Sequence, residues 1–232
     1  SPTPVRFEAF AFDEMFLDDL PGEPGVYIMR DDSGCVIYVG KAVDLRQRVG
    51  HYFSRRSERT EKTQGILARI WSVEVESVGS ELEALILESH LIRICQPEFN
   101  TQVKIHEQGE DFGLERNFVL FLPSSESDCL ELFCVRDNIP LEQIRVRRDL
   151  RDWQAVSERL VRIYFEQGPS ELERTEEDAA DLEILRRWLS IHRESVNTVD
   201  MESVGRKEEA IRVLSSHIQN FNLDTGERVW QR

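Results

Sequence analysis

Two tyrosines, a lysine, two arginines and one carboxylate in an apolar setting carry the chemistry that can be read from this chain. Tyr27 lies in the β-rich run Gly25 to Met29 and Tyr38 in the run Cys35 to Val39, with the turn residues Asp31-Asp32-Ser33-Gly34 between them. Such runs flanking such a turn predict a hairpin. Symmetric pairing about the turn puts Tyr27 opposite Tyr38, two phenols side by side. Lys41 follows after Val39 and Gly40. A cation near a phenol favours phenolate and lowers its pKa, which is one way a tyrosine becomes a general base. Plain cross-strand packing of two aromatics is the other explanation of the pair. Further along, Glu88 has Ala84, Leu85, Leu91 and Ile92 three and four residues away. A carboxylate on an apolar stripe is costly without a cation, a donor or a proton, and a divalent metal is a natural partner for its oxygens. A core-edge arginine, or a stripe that leaves Glu88 at its margin, would also satisfy it. Arg46 and Arg48 could grip a phosphate with their planar forks, or lie solvated on a helix face.

The elements that must position these groups form an α+β pattern. A helical turn over Glu14 to Leu17 leads into Leu20-Pro21-Gly22-Glu23-Pro24, ahead of the hairpin. Asp44 is an N-cap candidate for a helix to Phe53, with Leu45, Val49, Tyr52 and Phe53 on one face. A helix over Thr63 to Ile70 and a strand over Trp71 to Val78 follow. Ser80-Glu81-Leu82-Glu83 is a capping box opening a long helix to about Cys95, and Pro97 stops it. Glu107 to Glu115 is rich in Gly and acid and reads as linker. Beyond it, Phe118 to Leu122 and Cys129 to Val135 form a second hairpin, with a strand near Ile144 to Val146 and helices over Asp152 to Phe165, Glu176 to His192 and Lys207 to Phe221. The predicted organisation is a small mixed domain over residues 1–106, a linker over 107–116 and a mostly helical α+β domain over 117–232.

Taken together, these residues resemble the GIY-YIG endonuclease family, and within it the N-terminal nuclease domain of UvrC. Gly25-Val26-Tyr27 and Tyr38-Val39-Gly40 match the paired signature. Around them stand Leu20-Pro21, Pro24, Ile37, Lys41-Ala42, Leu45 to Val49, Tyr52-Phe53, Ser80 to Leu85, Leu87-Glu88, Leu91-Ile92 and Pro97-Glu98-Phe99-Asn100, in the family's order over roughly residues 20–104. The resemblance implies a small antiparallel sheet flanked by helices and a phosphodiester hydrolase. It implies Tyr27 or Tyr38 as general base, Lys41 as its helper and Arg48 as the phosphate-steadying arginine. Glu88 becomes the ligand of one divalent ion, Mg²⁺ or Mn²⁺, with Asn100 and Tyr52 in support. It extends as far as Lys104. Shorter UvrC homologues such as Cho, which carry this nuclease alone, are the better likeness. They imply a cut 3′ to a lesion in damaged double-stranded DNA, within nucleotide excision repair. By analogy, residues 117–232 would meet the partner UvrB.

Composition sets limits on this reading. A net charge of −15 opposes binding to a polyanion. The charge is uneven, however: Lys41, Arg46, Arg48, Arg55, Arg56, Arg59, Lys62 and Arg69 face only Asp44, Glu58 and Glu61 over the same stretch, while acid gathers beyond residue 165. The first seven of those cations are the DNA-contact candidates, on an otherwise acidic molecule. Cys35, Cys95, Cys129 and Cys134 form no CxxC pair and the five histidines lack ligand spacing, which argues against zinc and an iron–sulfur cluster. No apolar run reaches the ~18–20 residues of a membrane span, and Ser1-Pro2-Thr3-Pro4 opens no secretory signal, so a cytoplasmic protein is expected. Two other readings keep the same fold: a restriction or mobile-element nuclease, and a binding module whose nuclease has decayed.

Overall fold

The computed structural model describes residues 7–54, 60–100, 117–137, 139–166, 175–192 and 196–221. The chain divides into two compact units, residues 1–106 and 107–232. The expected linker at 107–116, and Arg55, Arg56 and Arg59, lie outside the described residues.

In the first unit a 3₁₀ turn (Phe7–Ala9) and the short helix α1 (Glu14–Asp18) precede β1 (Gly25–Arg30) and β2 (Val36–Ala42). Next come α2 (Leu45–Phe53), α3 (Glu61–Arg69), β3 (Ser72–Ser77) and α4 (Glu81–Cys95). The strands make one antiparallel sheet in the order β2-β1-β3, so β2 is an edge. Each helix starts where a side chain takes up an orphan N–H group. Asp44 accepts from Gln47 N at 2.8 Å and Thr60 from Thr63 N at 3.1 Å. Ser80 accepts from Glu83 N at 3.2 Å, while the Glu83 carboxylate reaches back to Gly79 N at 2.7 Å. Alternation then divides the sheet. Tyr27, Met29 and Tyr38 join Leu45, Val49, Tyr52 and Phe53 of α2 and Ile66 of α3 in one core. Val26 and Val39, on the opposite face, are fully buried outside that core, and α4 lies against β1 and β2.

The hairpin register departs from the symmetric expectation. Tyr27 pairs with Gly40 and Met29 with Tyr38. The turn closes between Asp31 N and Cys35 O, one residue further than symmetry requires. The Asp31 carboxylate draws in Ser33 N, Ser33 Oγ and Cys35 N, and Gly34 supplies the positive φ. A bulge at the Met29/Arg30 step adds the second shift. One shift alone would turn the tyrosines to opposite faces. Two restore the parity, so both rings remain in the same core although they are not directly opposed.

The second unit is built on the antiparallel sheet β6-β5-β4-β7, with β4 (Phe118–Pro123), β5 (Cys129–Val135), β6 (Glu142–Arg147) and β7 (Asn197–Asp200). The helices are α5 (Trp153–Val161), running into a π-helical turn to Glu166, α6 (Glu176–His192), α7 (Met201–Val204) and α8 (Lys207–Gln219). Val119, Phe121, Leu130, Leu132, Ile144 and Val146 pack with Val156 and Leu160 of α5 and Leu214 and Ile218 of α8. On the other face of β5, Glu131 is 1% exposed and accepts from Ser124 Oγ, Gln143 Nε2 and Arg145 Nε, so the buried charge is fully partnered. β7 and α7 were not among the sequence expectations. Asn197-Thr198-Val199-Asp200 has one apolar residue and becomes a strand only because β4 offers it an edge. Leu130 is wholly enclosed, so Leu130→Ala is expected to cost about 2–5 kcal/mol, read from the urea midpoint of the second unit.

Candidate active site

The site is assembled around the outer edge of β2, the side facing away from β1. Four outward groups, on three alternate residues of that edge, are occupied by segments that come from far along the chain. Ile37 O accepts from Phe99 N at 3.0 Å. Val39 N donates to Asn100 Oδ1 at 2.9 Å and Val39 O accepts from Asn100 Nδ2 at 2.8 Å. Lys41 N donates to Glu88 Oε1 at 3.0 Å. The Asn100 amide thus acts as a short extra strand, and it fixes the backbone on the C-terminal side of Tyr38. Glu88 reaches the same edge from α4, so the carboxylate and the phenols meet there although α4 and α2 cover opposite faces.

On the α2 face three phenols converge. The ring centroids of Tyr27 and Tyr38 are 6.0 Å apart, those of Tyr27 and Tyr52 5.8 Å, and those of Tyr38 and Tyr52 6.3 Å. The Tyr27 and Tyr52 hydroxyls are hydrogen-bonded at 3.0 Å, and Arg48 Nε donates to the Tyr27 hydroxyl at 3.4 Å. Arg48 sits one turn before Tyr52 and its guanidinium lies 5.7 Å from that ring. Gly40 is what lets Tyr27 in: a Cβ there would stand 2.4 Å from the phenol Cζ and oxygen. Gly40→Ala is therefore expected to displace the Tyr27 ring and disorder the phenol cluster, read as a change in near-ultraviolet circular dichroism with little change in the far ultraviolet.

The electrostatics correct one expectation. Burial pushes the Tyr27 hydroxyl up to about 12, against a smaller downward pull from Tyr52 and Arg48. Tyr38 and Tyr52 are also raised, first by burial and then by the neighbouring phenols. All three are neutral phenols at physiological pH. Lys41 does not oppose this. Three residues from Tyr38 along a strand, it projects from the other face, and its ammonium pairs with Glu81 at 3.0 Å. That signal was present in the odd spacing.

Glu88 is half-buried, and burial raises its pKa. Lys41, through its charge and backbone N–H, then Lys62 and Arg48 offset part of that rise. Oε1 is taken by Lys41 N, and Oε2 makes no hydrogen bond among the described residues. No group of three or more His, Cys, Asp or Glu side chains gathers among those residues. One protein carboxylate with a free oxygen suits Mg²⁺, which keeps most of its waters. Arg46 is less available than its position in α2 suggested, since its Nε donates to Leu20 O at 2.6 Å. Lys62 lies over the Tyr38 ring.

Because the folded-state pKa of Glu88 lies above its unfolded value, its contribution to stability is full below the unfolded pKa and is lost as pH rises through the folded one. Glu88→Gln is expected to melt above the wild type near neutral pH without divalent metal, the gap closing below about pH 4. Added Mg²⁺ should raise the melting temperature of the wild type and leave that of the variant unchanged.

Comparison with known proteins places the same segment. Residues 23–101 match the model of the UvrC-like GIY-YIG domain. The chain is similar to the UvrABC system protein C of Legionella pneumophila (strain Lens), 44% identical over 90 residues, covering 39% of this chain and 14% of that protein. It is 49% identical over 88 residues to the UvrABC system protein C of Acetivibrio thermocellus, covering 38% and 14% respectively. The chain therefore spans about one seventh of the length of these curated relatives. Among solved structures, the GIY-YIG N-terminal endonuclease domain of UvrC from Thermotoga maritima, bound to its catalytic divalent cation magnesium, is 35% identical. It covers 39% of this chain and all of that chain, with a TM-score of 0.35.

Proposed function

Residues 23–101 are a UvrC-like GIY-YIG domain, and from that premise we propose that the protein is a divalent-metal-dependent DNA endonuclease. It makes a single-strand incision, 3′ to a lesion, in the manner of the short UvrC homologues. The observation that carries this reading is the Glu88 carboxylate held on the backbone of the strand that bears Tyr38, with Arg48 beside the phenols. That arrangement supplies one metal-type oxygen ligand and one guanidinium beside the phenols, the groups that hydrolysis of a phosphodiester requires.

Mg²⁺ or Mn²⁺ held by Glu88 would polarise the phosphodiester as a Lewis acid and stabilise the leaving oxygen. The chain's own residues do the rest. Arg48 spends its Nε on Tyr27, which aims the remaining guanidinium N–H groups at the developing phosphate charge. Tyr27 is fully enclosed, whereas Tyr38 and Tyr52 each keep 8% exposure. A general base must reach water, so Tyr38, beside Glu88, fits that role and Tyr27 the role of a positioning phenol. Because burial raises its pKa, Tyr38 holds its proton at physiological pH and serves as base only in the fraction that has first released that proton to solvent. Asn100 positions Tyr38 through Val39. Lesion-bearing duplex DNA is the proposed substrate, and residues 117–232 the proposed contact with UvrB.

An end-labelled duplex with one bulky lesion, incubated with Mg²⁺ or Mn²⁺ and with or without UvrB, tests this. One cut 3′ to the lesion is expected, abolished in Glu88→Ala. A cut that survives Glu88→Ala would place the metal elsewhere. No metal-dependent cut at all would leave a binding module.

A further inference from the structure

Lys62 is the unexplained cation of the site. It stands in the first turn of α3, two residues after the N-cap Thr60, where the helix dipole disfavours positive charge. Its side chain is exposed, and it has no carboxylate partner among the described residues. Among the described residues, three other cations of this region have oxygen partners. Lys41 pairs with Glu81, Arg69 with Asp31 and Glu98, and Arg46 with Leu20 O. Lys62 Nζ instead rests 4.6 Å from the centroid of the Tyr38 ring, and its charge is felt at Glu88. Nothing in the packing of α3 requires an ammonium there, because the helix is anchored by Ile66 below and capped by Thr60.

Resting on the nuclease reading of the site, we propose that Lys62 is a phosphate-gripping residue: on DNA binding its ammonium leaves the Tyr38 ring and donates to a non-bridging oxygen of the phosphate lying between Tyr38 and Glu88. An exposed cation–π contact is weak and easily exchanged for a charge-assisted hydrogen bond to an oxyanion. The flexible stem makes this exchange possible without moving α3. Arg48 and Lys62 then hold the same phosphate from α2 and α3, one with a planar fork and one with a point charge. The ring contact, in the absence of DNA, holds the ammonium at the phenols rather than in an ion pair with Glu88, where it would compete with a metal ion.

The test uses the full chain as wild type, Lys62→Met and Lys62→Arg, with a fluorescent lesion-bearing duplex. Binding is followed by anisotropy in Ca²⁺ across a range of salt, and cleavage by single-turnover nicking in Mg²⁺. For Lys62→Met the slope of log affinity against log salt is expected to become shallower by about 1. Its single-turnover rate is expected to fall on the order of 10²-fold, with Lys62→Arg recovering most of both. A wild-type slope in Lys62→Met overturns the proposal whatever the rate does, and so does a loss of slope in Lys62→Arg equal to that in Lys62→Met. If the wild type fails to cut while Lys62→Met still flattens the slope, the phosphate contact stands and the nuclease reading falls.

Discussion

An edge strand presents a row of unpaired N–H and C=O groups that must find partners or invite aggregation. In the first unit the outer edge of β2 is closed by side chains and a turn rather than by another strand, and the site follows from how it is closed. Phe99 and Asn100 occupy the groups of Ile37 and Val39, and Glu88 that of Lys41. Each bond satisfies a backbone group, and those to Val39 and Lys41 also seat the candidate site residues Asn100 and Glu88. Because a strand's outward groups recur every second residue, the Asn100 and Glu88 anchors lie two residues apart on β2, either side of Gly40. Tyr38 stands one residue before the first of them. Structural and proposed catalytic roles coincide here, since Asn100 completes the sheet at Val39, next to Tyr38.

The interior of the site is neutral where a simple reading of its sequence predicted charge. Three phenols share one enclosed space, and taking water from a phenolate costs more than one guanidinium at the margin returns. A hydrogen-bonded pair, Tyr27 with Tyr52, is the favourable resting state for such groups. The negative charge is confined to Glu88 at the edge of the cluster, where Lys41, Lys62 and Arg48 partly offset the cost of burying it. The Arg48 guanidinium, hydrogen-bonded to the Tyr27 hydroxyl, is the countercharge on the α2 face.

Much of this was legible in the chain, for physical reasons that differ by residue. The N-caps Asp44 and Ser80 and the apolar spacing of α2 fix their helices locally, so those elements followed from short stretches. That Tyr27 and Tyr38 share a face survived an incorrect register, because a turn one residue wider and a one-residue bulge cancel in parity. The ionisation state of the phenols was not legible: it depends on Tyr52 and Gly40 meeting Tyr27 across the core, and burial has no local sequence signature. The destination of Lys41 was legible and was misread, since alternation alone sends it to the face opposite Tyr38. Lys62 approaches Tyr38 from 24 residues further on. No spacing rule links a helix N-terminus to a strand at that distance.

The basic run between Lys41 and Arg69 also means less as a field than as a count. Arg69 braces the hairpin turn and the Pro97 to Asn100 segment through Asp31 and Glu98, and it lies 5.9 Å from the Phe99 ring. Arg30 is held by Glu74. Paired cations neutralise their partners and add little to attraction at a Debye length of about 8 Å in physiological salt. With the whole chain at −15, long-range steering toward DNA is opposed, and affinity has to come from a few unpaired cations acting at contact distance. Arg48 and Lys62 are such cations among the described residues, and both lie against the phenols. On the proposed nuclease reading, selectivity for where a backbone is cut would depend on fitting one phosphate between them, not on the charge of the surface around it.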